Sequence, residues 1–190
     1  MPDVPIYRLT VEQFEAMIAA GILAEDEPVE LLEGWLVEKM TKNPPHMVAN
    51  ALLLVLFSRL MPSGWFLAMQ DPITTVDSLP EPDATVIRGE PRDYSQRRPA
   101  AADIGLLMEV ADSSLEQDRG LKKRTYARTG ILIYWIVNLV DRQIEVYTDP
   151  TGPVDEPDYR QRRDYGPTGM IPVVLDGVEV GSLAVRDMLP

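Results

Sequence analysis

Apolar and polar positions along the chain change period several times, and each change marks an element. Thr10-Val-Glu-Gln13 has capping-box spacing ahead of a mixed run, which predicts a short helix to about Ala20, stopped by Gly21. Val29 to Lys39 predicts a hairpin turning at Glu33-Gly34. Asn43 followed by Pro44 and Pro45 marks a second helix. Val48, Leu52, Val55, Leu56 and the stem of Arg59 continue one face of it to about Leu60, and that face should pack on a sheet. Trp65 to Gln70, Ile73 to Val76 and Asp83 to Ile87 predict strand segments, the first two broken by Asp71-Pro72, and Ile104 to Val110 predicts another. Arg88 to Asp103, rich in Arg, Pro and Ala, predicts a long loop of the kind that often forms a lid or stays disordered. Ser114-Leu-Glu-Gln117 again has capping-box spacing and opens a helix to about Thr129, ended by Gly130. Ile131 to Asn138 is nearly continuously apolar, as expected of a strand buried on both faces, with Gln143 to Thr148 as its hairpin partner. Pro150 to Gly169 reads as a surface excursion; Met170 to Val180 turns at Asp176-Gly177 into a second hairpin before a short closing helix. Strands and helices in this order predict an α/β domain, a mixed sheet with helices on its faces, spanning 1–190 as a single unit.

Composition narrows the class. A chain of 190 residues can bury about 70% of the surface it exposes unfolded, and 45% hydrophobic with 25% charged residues is ordinary for a globular protein. The longest apolar run, Ala51 to Phe57, is too short to span a bilayer. No basic segment followed by an apolar one opens the chain, so no signal peptide is expected. Cysteine is absent, which excludes disulfides and thiolate metal sites and fits a reducing cytoplasm. The net charge of −12 argues against a protein that coats nucleic acid. Yet 11 of the 18 Lys and Arg residues fall in Arg92–Arg98, Arg119–Arg128 and Arg160–Arg163, patches that could guide a polyanion or simply be solvated faces.

Three residues carry the chemistry. Asp83 and Glu109 lie in runs that read as buried strands, where an unpaired charge would cost several kcal/mol, on the order of a full desolvation penalty. Taken alone, Asp83 also reads as a turn residue capping a local N–H, and Glu109 as an edge position facing water. Helical phasing from Ser114 puts Leu115, Asp118, Lys122 and Tyr126 on one face, with Arg119, Lys123 and Ala127 on the adjacent one. Lys122 therefore faces inward, either to meet a carboxylate such as Glu109 or to cover apolar surface with its stem. A divalent metal between two carboxylates, with a lysine beside the attacking water, is what phosphodiester hydrolysis needs. Zinc chemistry is poorly supported, because His46 is the single histidine. A Walker loop, a nucleophile elbow and a dinucleotide fingerprint are missing.

The order Pro82-Asp83, then Glu109-Val110, then Lys122 resembles the PD-(D/E)xK restriction-endonuclease-like superfamily. Within it the chain resembles the Uma family of restriction-endonuclease-like proteins between Thr10 and about Asp149. The stretches that carry this are Glu30-Leu-Leu-Glu-Gly-Trp-Leu-Val, Pro44-Pro-His46, Asp118-Arg-Gly-Leu-Lys122, Tyr126-Ala-Arg-Thr-Gly-Ile and Tyr134-Trp-Ile-Val. The tail matches only in its hairpin character. The resemblance implies a restriction-endonuclease-like mixed β-sheet core flanked by helices, with additional β-hairpins. It implies Asp83 and Glu109 as ligands of Mg²⁺ or Mn²⁺, helped by the Val110 carbonyl, and Lys122 orienting or polarising the attacking water. Glu30 would be an accessory acid and His46 a site or substrate contact. Arg119 and Lys123, one face over from Lys122, are the candidate DNA contacts. Ala111 stands where the superfamily's strand lysine would be, and Lys122 fits the helix position to which the family moves it. Asn138 replaces a common Asp, and Asp112-Ser113 a usual Ser-Pro. The expectation is a cytoplasmic endonuclease acting on DNA, working as a homodimer or higher homo-oligomer. The rival is a catalytically idle nuclease fold that serves as a binding or assembly module.

Overall fold

The structure is a computed structural model that describes residues 5–24 and 26–190. Helix α1 (Val11–Ala19) carries the capping box foreseen at Thr10 and Gln13. Strands β1 (Val29–Leu32) and β2 (Trp35–Glu38) form the first hairpin. Its turn residues Glu33 and Gly34 take φ of 50° and 78°, the left-handed region that a tight two-residue turn requires. Helix α2 (Pro44–Leu60) is capped by the Asn43 side chain. A six-stranded sheet follows, with β3 (Trp65–Met69), β4 (Ala84–Arg88), β5 (Ile104–Ala111), β6 (Ile133–Asn138), β7 (Gln143–Pro150) and β8 (Tyr159–Tyr165) in sequential order. All its pairs are antiparallel except β5 with β6. That parallel pair needs a crossover. The connection supplies it: α3 (Leu115–Gln117), a wide π-turn (Asp118–Lys122) and α4 (Lys123–Thr129), ended by Gly130 at φ +85°.

The two faces of this sheet are covered differently. On one, α2 and the hairpin of β9 (Met170–Leu175) and β10 (Val178–Ala184) pack Leu53, Phe57 and Val173 against Trp135 and Leu106. On the other, α4 packs Tyr126 and Ala127 against Tyr134, Tyr147 and Leu107. Every residue of β5 is buried as a result, so its glutamate has no route to bulk solvent except a cavity at the strand end. The first hairpin is tied to the segment before β4: Leu79 N–H donates to Leu31 O at 2.8 Å and Gly34 N–H to Asp77 O at 3.0 Å. Glu30 is thereby brought to the edge of the central sheet.

Five expectations change. The buried face of α2 is Ala49, Leu53 and Phe57, while Val48 and Val55 are each 46% exposed. This helix is apolar nearly all round, so hydrophobic spacing alone cannot choose its inner face. Ile73–Val76 is irregular, held by an isolated bridge between Thr74 and Ala100. The same bridge pins the Arg88–Asp103 loop, which also contains two short 3-10 turns, Pro91–Tyr94 and Ala101–Asp103, so it is no open lid. The expected surface excursion contains β8, whose Arg-rich sequence hides an edge strand stabilised by pairing with β7. The closing helix is a 3-10 turn, Val185–Met188.

Candidate active site

Asp83 stands at the residue before β4, and α2 reaches it with two side chains one turn apart. His46 Nε2 lies 3.1 Å from Asp83 Oδ2, and Asn50 donates to Asp83 Oδ1 at 3.1 Å. Asn50 also donates to His46 Nδ1 at 3.3 Å, which leaves the ring proton on Nε2, facing the carboxylate. Gln70 donates to Oδ1 at 3.3 Å and the Val110 N–H to Oδ2 at 2.9 Å. Burial opposes ionisation here, but the His46 contact, the Val110 N–H and Asn50 outweigh it and hold the Asp83 pKa at about 2.

Glu109, 2% exposed on β5, turns toward the crossover helix. Its Oε1 accepts from Lys122 Nζ at 3.0 Å and from the Tyr126 hydroxyl at 2.6 Å. Its Oε2 accepts nothing among the described residues, and Glu109 lines a cavity. Burial pushes its pKa well up; Lys122 pulls the other way, and Asp118, Asp83 and Glu30 add to the rise. Lys122 sits between Glu109 and Glu30, whose Oε1 is 3.4 Å from Nζ. Burial would discharge it, but Glu109, Glu30 and Asp118 overcome that and keep the ammonium protonated. Glu30 is fixed in turn by the Glu81 N–H at 3.2 Å and by Gln117 at 3.5 Å.

These groups surround a cavity of about 70 Å³. Asp118 lines it too, only 1% exposed, with Ser114 donating to its Oδ2 at 2.6 Å. Its pKa rises to about 6, burial being the main cause, with Lys122 and the Ser114 bond resisting. Ser114 has no side-chain cap bond to the helix backbone; its hydroxyl serves Asp118 instead. At the mouth are Lys39, paired with Glu81 at 2.7 Å, and Lys42, which has no acidic partner among the described residues.

Among the described residues, no three His, Asp or Glu side chains are grouped so as to cage a metal ion. A Mg²⁺-type site needs no cage, since it usually keeps several waters and takes one or two carboxylates plus substrate phosphate. The cavity has room for several waters. Its donors are hard oxygens, and four buried carboxylates, Glu30, Asp83, Glu109 and Asp118, face one buried lysine. A divalent cation would offset most of that excess. The donor set therefore fits Mg²⁺ or Mn²⁺.

The expected trio of Asp83, Glu109 and Lys122 meets in this cavity, with Glu30 and His46 beside it. Of Val110, the bond formed is the N–H to Asp83. Arg119 and Lys123 do not line the cavity: Arg119 is bound to Glu145 and Asp141, and Lys123 to Asp158 at 2.8 Å. Asp118, Asn50, Gln70, Gln117, Lys39 and Lys42 were not singled out as site residues from the sequence. Asp118 and Asn50 stand four residues from Lys122 and His46, a helical spacing that could have flagged them; nothing local marks Gln70, Lys39 or Lys42.

A mixed sheet that sets Asp83 just before β4 and Glu109 on β5, with the crossover to β6 bringing Lys122 to the same cavity, has the layout of a nuclease-like α/β fold. The Uma2 family model, described as "Putative restriction endonuclease", matches residues 11–185, and the chain belongs to that family. It is also similar in structure to a crystal structure from Anabaena variabilis described as "a putative nuclease belonging to DUF820", with a TM-score of 0.66 and 17% identity over 97% of each chain. No curated protein matches the chain.

Proposed function

We propose that the protein is a Mg²⁺- or Mn²⁺-dependent endonuclease that hydrolyses DNA phosphodiester bonds with metal-activated water. The observation that carries this reading is the meeting of Asp83, Glu109 and Lys122 in one small cavity whose acids outnumber its cations. Asp83 and Glu109, with the Val110 carbonyl, would hold the ion, which when bound would lower the pKa of its water and polarise the scissile phosphate. Asp83 is ready for this without a proton to lose, and His46, Asn50 and Gln70 hold it in one orientation. The Lys122 ammonium, steadied by Glu109 and Glu30, would donate to the attacking oxygen and stabilise charge on it. Lys42, at the mouth and unpaired among the described residues, takes the DNA phosphate contact, since Arg119 and Lys123 are occupied by acids. Cutting both strands asks for two sites, so the proposal includes a homodimer or higher homo-oligomer, acting in the cytoplasm. Among the described residues no helix is long and apolar enough to cross a membrane.

The acidic balance of −12 favours the rival, an idle nuclease fold used for binding or assembly. Incubating purified protein with plasmid and linear duplex DNA in Mg²⁺ or Mn²⁺ separates the two. Cleavage that disappears in Asp83→Ala and in Lys122→Ala supports the enzyme. Metal binding without cleavage supports the rival, and identical behaviour of wild type and Asp83→Ala, with neither metal bound nor DNA cut, rejects the metal site altogether.

A further inference from the structure

The helix that carries Lys122 is not regular. Between Asp118 and Lys122 it opens into a π-turn, in which the Lys123 N–H reaches back to Asp118 O. Single π-turns inside helices concentrate at functional sites, and the phase of this one has a clear effect. In a regular α-helix each residue advances about 100°, so Asp118 and Tyr126, eight residues apart, would diverge by about 80°. A wide turn that absorbs one residue reduces the effective advance to seven steps, leaving them about 20° apart. With the extra residue spread over the five steps of the turn, Asp118, Lys122 and Tyr126 fall within a sector of about 40° instead of about 80°, and the first two line the cavity while the third bonds Glu109.

Two contacts from the sheet hold this turn open. The hydroxyl of Tyr134, fully buried on β6, donates to the Asp118 carbonyl at 3.1 Å, giving it a second partner that favours its tilt away from the helix axis. Arg119, inside the turn, grips Glu145 on β7 through Nε at 3.2 and 3.1 Å and also through Nη2, which reaches Asp141 at 3.2 Å. Glu145 is a built anchor: fully buried, it also accepts from Asn138 at 2.7 Å and from Tyr147 at 2.7 Å. A network of this kind on the side of the turn away from the cavity has no use as a substrate contact. Gly120 imposes nothing, because a Cβ there would meet open space.

We infer that the π-turn is the device that gathers Asp118, Lys122 and Tyr126 into one narrow sector toward the cavity and Glu109, and that Tyr134 and Arg119 are positioning residues acting through it. The inference rests on the proposed site but is read without metal or DNA. Nitrogen-15 spectra of lysine ammonium groups report Lys122, identified by its loss in Lys122→Met, and the carboxyl carbon signal reports Asp118. In Tyr134→Phe we expect hydrogen exchange of the Lys122 ammonium to quicken about tenfold and the Asp118 signal to move toward that of an exposed aspartate. Gly120→Ala should leave both unchanged. If Tyr134→Phe does not fold, Arg119→Lys carries the test, since a lysine keeps the charge but cannot reproduce the guanidinium's fork on Glu145. Both signals unmoved in a folded variant overturn the inference. Absence of cleavage by the wild type would overturn the nuclease reading alone, whereas a wild type that cuts DNA while the variant's signals stay in place would overturn the turn's role alone.

Discussion

Replacing Asp118 by Asn should make the metal-free protein more stable at neutral pH. Asp118 is 1% exposed, faces three other carboxylates across a small cavity, and has its pKa raised from 3.8 to about 6. Above pH 6 the folded chain must keep this group charged in a place that disfavours charge, whereas the unfolded chain ionises it freely. A raised carboxyl pKa therefore costs stability at high pH, and the cost shrinks as pH falls through 6 toward 3.8, where the folded state takes up its proton first. About two pKa units correspond to about 3 kcal/mol at pH 7.5. Asn keeps an acceptor for Ser114 and removes the charge, so most of that should return as stability, a rise in Tm of about 6–12 °C for a chain of this size. Thermal and urea unfolding would be measured in chelator at pH 7.5 and pH 5. The gain should be large at the first and about half as large at the second. A variant no more stable than wild type at pH 7.5, or a gain that persists undiminished at pH 5, would refute the charge-crowding argument.

Three other outcomes are expected. Lys42→Ala should lower the slope of log affinity against log salt by about 1 for a short duplex bound in Ca²⁺, read by fluorescence anisotropy, while Lys123→Ala leaves it unchanged. Tyr126→Phe removes a 2.6 Å donor to Glu109, so calorimetric Mn²⁺ binding should shift its pH midpoint upward, because the ionised form of Glu109 loses support. Gly34→Ala should destabilise by about 2–4 kcal/mol in urea unfolding: φ is +78° and the new Cβ would stand 2.5 Å from the Arg8 Cβ. That is also the turn through which β1 carries Glu30 to the site.

Features set by neighbours in the chain were legible in the sequence. The Glu33-Gly34 turn, the Asn43 cap and the inward phase of Lys122 each follow from local geometry, and each is present. Features set by the opposite side of the fold were not. The inner face of α2 is selected by what the sheet offers, since Val48 and Leu53 are equally apolar candidates in sequence. Strand β8 shows no apolar alternation, because most of its side chains face solvent and its order comes from hydrogen bonds to β7. Arg119 and Lys123 looked like DNA contacts while only their charge was visible. Acids distant in sequence, Glu145 and Asp158, engage them. Asp118 was phased correctly, but its importance depends on a cavity shared with residues from four other elements.

In the proposed mechanism Asp83 and Glu109 bind one divalent ion beside Lys122. A crystal of the wild-type protein soaked in Mn²⁺ and measured for anomalous scattering tests it directly. A single strong peak is expected between the Asp83 and Glu109 carboxylates, with the Lys122 ammonium still beside Glu109, and no such peak in Asp83→Asn crystals. An empty cavity at saturating Mn²⁺, or carboxylates turned away from each other, would contradict it.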